Sequence, residues 1–166
     1  MVRILGIDPG LATTGYSLLE KQGNSFELID SGRITTSSDR EDITRLDDLF
    51  QELSELINSL KPGHMAVEEL FFNKNVKTAI RVGQARGVIL LAGSRRGLEV
   101  YEYTPLQVKQ AVVGYGRASK HQVQEMVKAL LNLPAAPDSD DEADAIAVAI
   151  CHGHNYAVKK NWGELV

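Results

Sequence analysis

The order of strand-like and helix-like segments is the feature that most constrains this fold. Three segments with strand character come first, at Arg3–Asp8, Gly15–Glu20 and Phe26–Thr35, with short turns between them. Connections this short pair neighbouring strands as antiparallel hairpins. Two further strands then alternate with helices, and each strand–helix–strand step requires a right-handed crossover between parallel strands. The sequence therefore predicts an α/β fold, with a mixed five-stranded sheet flanked by helices.

Five helices are predicted, and different patterns indicate them. Apolar residues recur on one helical face between Ile43 and Leu60, with acidic residues on the other face. Thr104 and Ser119 are favourable N-cap residues, and Pro105 suits a first helical position. The helices are expected over about 43–60, 76–96, 107–113, 120–131 and from 140 past 151, and the fourth and fifth strands over about 64–69 and 98–103.

The bulk properties of the chain predict one soluble domain. Its 166 residues suit a single core, and we expect the domain to span residues 1–158, followed by a short tail at 159–166. Cys151 is the single cysteine, so no intramolecular disulfide can form. Uninterrupted apolar runs such as Val88–Ala92 are far too short to cross a bilayer. No signal peptide precedes the apolar pattern that begins at Val2, and the expected location is cytoplasmic.

Charge is distributed unevenly along the chain. The net charge is −4, yet residues 71–128 hold ten Lys and Arg against three acidic residues. A local basic surface attracts phosphate backbones whatever the total charge, so a nucleic-acid partner stays open. A solvated basic face explains the same pattern equally well.

Four carboxylates stand at positions where a catalytic site is expected. Asp8 ends the first predicted strand, and Glu68 lies near the end of the fourth, each in an otherwise apolar segment. Ligands gather at the carboxyl ends of parallel strands. Asp141 and Asp144 are spaced i, i+3, which places both on one face in the first turn of the last helix. We expect the four side chains to converge, although a turn cap at Asp8 and an acidic first helical turn would explain them separately.

Convergence of four carboxylates would require cations. Two unit charges ~6 Å apart at an effective dielectric of ~20 repel by roughly 3 kcal/mol, and four charges make several such pairs. Oxygen ligands without cysteine favour Mg²⁺ or Mn²⁺ over Zn²⁺. Two such ions held by Asp8, Glu68, Asp141 and Asp144 would suit in-line attack of water on a phosphodiester.

Five short motifs are spread over nearly the whole chain. They are Gly6-Ile7-Asp8-Pro9-Gly10 with Thr14-Gly15-Tyr16, Ala66-Val67-Glu68-Glu69-Leu70-Phe71, Gly83-Gln84-Ala85-Arg86-Gly87, Gln107-Val108-Lys109-Gln110-Ala111-Val112-Val113-Gly114 and Asp141-Glu142-Ala143-Asp144-Ala145-Ile146-Ala147. In this order they resemble the RuvC family of bacterial Holliday-junction resolvases, and none departs from the family at a catalytic position.

The resemblance implies a ribonuclease H-like fold and a homodimer that makes paired, Mg²⁺-dependent nicks in four-way junction DNA. It implies two ions per site with Mn²⁺ as a substitute, and RuvA and RuvB as partners. The four carboxylates correspond to the metal-binding catalytic acids of the family. Lys109 and Lys120 match lysines at the active-site rim, and Phe71 matches an aromatic that stacks at the junction centre, with Phe72 beside it. The expected DNA contacts are Phe71, Phe72, Lys74, Lys77, Arg81, Lys109, Arg117 and Lys120.

Three other functions remain to be separated from this one. A nuclease of the same fold could act on RNA or on an RNA–DNA hybrid, because the carboxylates do not distinguish the substrates. A junction-binding module would bind without cutting. A sugar-kinase or actin-like ATPase shares a Gly-x-Asp-x-Gly phosphate loop, but it needs a second lobe that 166 residues do not supply.

Overall fold

The computed structural model describes residues 1–69 and 76–163, with side chains apart from those of residues 76 and 157–163. Within this part of the chain five strands form one sheet and five helices cover it. The strands are β1 Val2–Asp8, β2 Thr13–Gln22, β3 Ser25–Thr35, β4 His64–Glu68 and β5 Glu99–Tyr103. The helices are α1 Asp42–Leu60, α2 Val76–Arg95, α3 Pro105–Val113, α4 Lys120–Leu130 and α5 Asp140–Gly163.

The sheet has the strand order β3-β2-β1-β4-β5. β1 pairs antiparallel with β2 and parallel with β4, and β4 pairs parallel with β5. The first three strands are thus a meander, and each later strand follows a helical crossover. This confirms the predicted α/β architecture and the mixed five-stranded sheet.

Two apolar layers enclose the sheet. On one face β-strand residues such as Leu5 and Met65 pack with α1 and α2 around Leu49 and Ile89. On the other face Ile4, Ala66 and Tyr103 pack with α3, α4 and α5. Strand side chains alternate between the faces, so successive residues of one strand serve different layers.

The helix starts predicted from capping chemistry are present. The hydroxyl of Thr104 accepts a hydrogen bond from the backbone N–H of Gln107, and Ser119 does the same for Gln122. Each glutamine side chain returns a bond to the N-cap backbone, which completes a capping box. These caps fix the residues at which α3 and α4 begin, and Thr104 starts α3 directly after β5 ends.

Two glycines allow α5 to lie directly on the sheet. A Cβ at Gly6 would stand 2.2 Å from the carbonyl oxygen of Ala145, and one at Gly15 would stand 2.0 Å from that of Asp141. Ser17 donates a hydrogen bond to the Ala145 carbonyl oxygen (3.1 Å). Any larger residue at either glycine would push α5 away, so these contacts fix the helix against β1 and β2.

The last helix, α5, carries Cys151 and passes the predicted end of the domain. Cys151 is fully buried in the core. α5 runs to Gly163 and so continues past residue 158, where the predicted tail begins; the division into domain and tail stays a prediction. Among the described residues, no helix is both long enough and apolar enough to span a membrane.

Candidate active site

Adjacent parallel strands place the first two carboxylates side by side. Asp8 is the last residue of β1, and Glu68 is the last residue of β4. Ile7 lies opposite Val67 in the parallel register, so the two acidic residues follow one another at the same edge of the sheet. Both side chains leave the apolar interior there and are only partly buried. The predicted juxtaposition of these two carboxylates is therefore present.

The start of α5 brings the other two acids to this edge. Asp8 lies opposite Gly15 in the antiparallel register of β1 and β2, and the backbone of Asp141 rests on Gly15. Asp144 lies one turn further along α5 and is also partly buried. Residues more than 130 positions apart in the sequence thus share one location through a glycine contact.

Burial and repulsion between neighbouring carboxylates raise the pKa values of Asp8, Glu68 and Asp144. Burial raises the pKa of Asp8 to about 8, and the charges of Glu68, Asp144 and Asp141 add to the effect. Burial, followed by the charge of Asp144, raises the pKa of Glu68 to about 7. Burial also raises the pKa of Asp144. Without a cation, protons compete for this site near neutral pH.

Two lysines bring positive charge to the same group. Lys120 Nζ lies 3.5 Å from Asp144 Oδ2 and 3.4 Å from Asp140 Oδ2. Its charge lowers the pKa of Asp8, Glu68 and Asp144 against the raising effects. Burial lowers the pKa of Lys120 itself, but Asp144 and Asp140 raise it by more.

Lys109 also acts on this site. Its charge lowers the pKa of Glu68, which places the α3 lysine within electrostatic range of β4. α3 and α4 each pack on α5, so both lysines approach the carboxylates from the same side as that helix.

The carboxylates are neighbours but do not form a ready ligand set. Among the described residues, no three His, Cys, Asp or Glu side chains are gathered at a spacing that would hold a metal ion. Their oxygen chemistry nevertheless fits hard divalent cations, and burial together with neighbouring carboxylates raises the pKa values of Asp8 and Glu68. Asp8, Glu68, Asp141 and Asp144 are the residues that would hold such an ion.

The remaining predicted contact residues are scattered. Lys77 and Arg117 are exposed, and Arg81 forms an ion pair with Asp42, with 2.7 Å between Nε and Oδ2. Phe71, Phe72 and Lys74 lie outside the described residues, so their predicted roles stay predictions.

The sequence analysis missed the role of Gly6 and Gly15 in placing α5, although both belong to the first motif. It also missed a buried network between α5 and strands β4 and β5. His152 is fully buried; its Nε2 lies 3.0 Å from His64 Nδ1, and its Nδ1 lies 2.8 Å from the Tyr103 hydroxyl. Tyr103 lies opposite Glu68 in the β4–β5 register, so this network supports the strand end that carries Glu68.

The raised pKa values predict how stability depends on pH in metal-free buffer. The folded protein keeps a proton on Asp8 up to about pH 8, whereas the unfolded chain loses it near pH 4. The free energy of unfolding therefore falls as the pH rises from about 4 to about 8, by about 1.4 kcal/mol per pH unit for one such proton. Urea unfolding at several pH values should show this loss in the wild type, and Asp8→Asn should show a smaller loss. Equal slopes in the two proteins would contradict the assignment.

Comparison with known proteins identifies close relatives along almost the whole chain. The profile of the family described as crossover junction endodeoxyribonuclease RuvC matches residues 4–152. The protein of that name from Halothermothrix orenii is 62% identical over 160 residues, covering 96% of this chain and 97% of the relative. The one from Ruminiclostridium cellulolyticum is 57% identical over 153 residues, covering 92% of each chain.

Solved structures give the same result. The structure of T. thermophilus RuvC in complex with Holliday junction substrate superposes with a TM-score of 0.90 at 33% identity, covering 95% of this chain and 96% of that one. The yeast mitochondrial Holliday junction resolvase Ydc2 superposes with a TM-score of 0.69 at 14% identity, covering 99% of this chain and 86% of that one. The second similarity concerns the fold alone.

Proposed function

Because this chain belongs to the RuvC family of crossover junction endodeoxyribonucleases, we propose that it cuts DNA by metal-assisted hydrolysis at Asp8, Glu68, Asp141 and Asp144. It has the family's ribonuclease H-like fold and is a Holliday-junction resolvase. The observation that carries this proposal is the electrostatic coupling of the four acids. Asp8 on β1 is affected by Glu68 from β4 and by both α5 aspartates, which are remote in sequence. A group of partly buried acids with raised pKa values is costly for the fold, and a catalytic site explains the cost.

Divalent cations, which the family requires, would supply an activated water and stabilise the leaving oxygen at this site. We propose two Mg²⁺ ions, with Mn²⁺ as a substitute, because the donors are carboxylate oxygens. Asp8, Glu68, Asp141 and Asp144 would hold them. Burial raises the pKa of Asp8 to about 8, so loss of its proton limits cation binding as the pH falls below about 8.

The lysines are proposed to act on the phosphate. Lys120 is exposed and reaches Asp144, and Lys109 acts electrostatically on Glu68. A scissile phosphate placed over the carboxylates would lie within reach of both ammonium groups. Positive charge there stabilises the negative charge that grows on the phosphate in the transition state.

Symmetry supports a homodimer. A four-way junction has approximate two-fold symmetry, and an isologous dimer presents two identical sites related by the same operation. α2 offers an apolar outer face, because Ile80 and Leu91 are 56% and 52% exposed and stand three helical turns apart. A Cβ at Gly87, between them, would meet nothing within 4 Å. Ile89 and Ala92 are fully buried, so the apolar run of α2 serves the core as well as this proposed interface.

The remaining proposals concern the DNA and the partner proteins. Lys74, Lys77, Arg81 and Arg117 are proposed to contact the phosphate backbone, and Phe71 or Phe72 to stack at the junction centre. Arg81 would first have to leave Asp42. By family membership we also propose cooperation with RuvA and RuvB in the cytoplasm.

A supercoiled plasmid with an extruded cruciform tests cutting and pairing together. A single nick releases the supercoiling and lets the cruciform be reabsorbed, which leaves a nicked circle. Two cuts made within one bound complex instead give linear DNA. We expect linear product with Mg²⁺ or Mn²⁺ and none with EDTA, and far slower cutting of a linear duplex or an RNA–DNA hybrid.

Other outcomes would favour the alternatives. Faster cleavage of the hybrid than of the junction would support a ribonuclease. Junction binding without any cut in either metal would support a non-catalytic module. Nicked circles as the sole product would contradict the dimer and leave the nuclease assignment intact.

A further inference from the structure

Two exposed side chains lie on α3 and on the connection between α3 and α4, the elements that carry Lys109 and lead to Lys120. Tyr115 is 56% exposed, and Leu106 is 53% exposed. Large apolar side chains left this open are few among the described residues, and most of the others lie on other elements. Neither the carboxylate chemistry nor the proposed dimer uses these two residues.

The connection holds Tyr115 in a defined position. Gly114 ends α3 with a left-handed backbone (φ 77°), and its N–H donates to the Gln110 carbonyl oxygen (2.9 Å). The N–H of Ala118 then donates to the Tyr115 carbonyl oxygen (3.2 Å), which closes a four-residue turn. Ala118 is buried and anchors the far end of the turn. Tyr115 is therefore presented from an ordered backbone.

Leu106 belongs to the same surface. A Cβ at Gly116 would stand 2.3 Å from Leu106 Cδ1, so the turn folds back onto this part of α3. We call Leu106, Tyr115 and the intervening contact at Gly116 the Tyr115 platform. Leu106 precedes Lys109 by three residues on α3, which places the platform next to that lysine on the helix surface.

Basic side chains surround the platform and connect it to the carboxylates. Arg117 lies in the same turn and is exposed, and Lys120 follows at the start of α4. The turn and the two residues after it span at most about 14 Å between the Cα atoms of Tyr115 and Lys120. That length corresponds to about four stacked nucleotides of one strand. Lys120 Nζ lies 3.5 Å from Asp144 Oδ2, so one DNA strand can contact both the platform and the site.

We propose that the Tyr115 platform stacks against an unpaired base that flanks the scissile phosphate and so positions the cut strand. Aromatic faces interleaved with lysine and arginine are the pattern by which proteins bind single-stranded DNA. A strand that leaves the duplex near a junction has a base free to stack, whereas a continuous duplex does not. The platform would thereby favour junction over linear DNA. This inference rests on the proposed function, because it requires a strand to be cut at the carboxylates.

Substitution of Tyr115 tests the platform against a purely structural role. Tyr115→Ala should lower kcat/KM on the junction about ten-fold, the expected size for one lost stacking contact. Tyr115→Phe keeps the ring and should stay within about two-fold of the wild type. The melting temperature of both variants should match that of the wild type because the side chain is exposed. Ile29→Ala, which truncates an exposed apolar residue on the opposite edge strand β3, is the matched control and should be neutral.

A cross-link locates the contact directly. Junctions carrying 5-iodouracil at single positions on either side of the cleavage point are bound in Ca²⁺ and irradiated, and the modified peptide is identified by mass spectrometry. We expect cross-linking to Tyr115 from one or two positions within about four nucleotides of the scissile phosphate, and its loss in Tyr115→Ala.

The outcomes separate this inference from the proposed function. If the wild type cuts the junction, but Tyr115→Ala cuts equally well and no flanking position cross-links, the platform is overturned and the nuclease assignment stands. If the wild type makes no cut in either metal, the proposed function fails. Equal activity losses in Tyr115→Phe and Tyr115→Ala would also overturn stacking, because the ring would then not matter.

Discussion

Asp8→Asn is expected to lower the rate of junction cutting by about 1,000-fold while leaving junction affinity nearly unchanged. Metal ions contribute several kcal/mol to transition-state stabilisation, and each 1.36 kcal/mol corresponds to a factor of ten. Asparagine keeps the shape of the side chain but removes the charge that holds a cation. Single-turnover cutting in Mg²⁺ and junction binding in Ca²⁺ measure the two quantities separately.

Glu142→Gln is the matched control for Asp8→Asn. Glu142 lies in the same acidic first turn of α5, but its carboxylate accepts a hydrogen bond from Ser31 on β3. The glutamine retains an acceptor for that bond, so its cutting rate should stay within a few-fold of the wild type. Comparable losses in the two variants would mean that the cutting rate depends on the total negative charge of this region and not on the Asp8 carboxylate in particular. An unchanged cutting rate in Asp8→Asn would contradict the proposed carboxylate site.

Lys120→Ala is expected to lower the cutting rate about 100-fold and junction affinity by less than ten-fold. Loss of one group that stabilises transition-state charge typically costs a factor of 100 to about 1,000. One lost phosphate contact costs far less affinity, because many lysines and arginines share that work. The rate of the chemical step at saturating enzyme and the affinity in Ca²⁺ are the two measurements.

Lys128→Ala provides the comparison for Lys120→Ala. Lys128 lies in the last turn of the same helix, about two helical turns from Lys120. Its loss should affect affinity slightly and leave the chemical step unchanged. If Lys120→Ala lost rate and affinity to the same degree, Lys120 would be a binding residue without a catalytic role.

Much of the fold follows from local patterns that the sequence displays. The apolar face of α1, the capping boxes at Thr104 and Ser119 and the apolar strands β1 and β4 depend on neighbouring residues alone. Their order restricts the topology, because a short connection makes a hairpin and a helical crossover makes a parallel pair. Boundaries differ from expectation by a few residues, as at β2, which begins at Thr13 instead of Gly15.

The site is less local, and its properties could be predicted only in part. Asp8 and Glu68 were expected together because both end parallel strands. Their joint location with Asp141 depends on α5 lying on Gly15, and no local pattern measures how closely a helix approaches a sheet. The raised pKa values of Asp8 and Glu68 also depend on tertiary structure, because burial is the largest cause of each shift.

The sequence by itself determined the identity of the four carboxylates, the element on which each one stands and the order of those elements. Tertiary structure alone decided that the acids share one partly buried edge, that Lys120 reaches Asp144, and that Tyr115 and Leu91 face outward. The physical reason is range. Periodicity, caps and turns act over a few residues, whereas charge coupling and exposure depend on distances set when remote helices pack on the sheet.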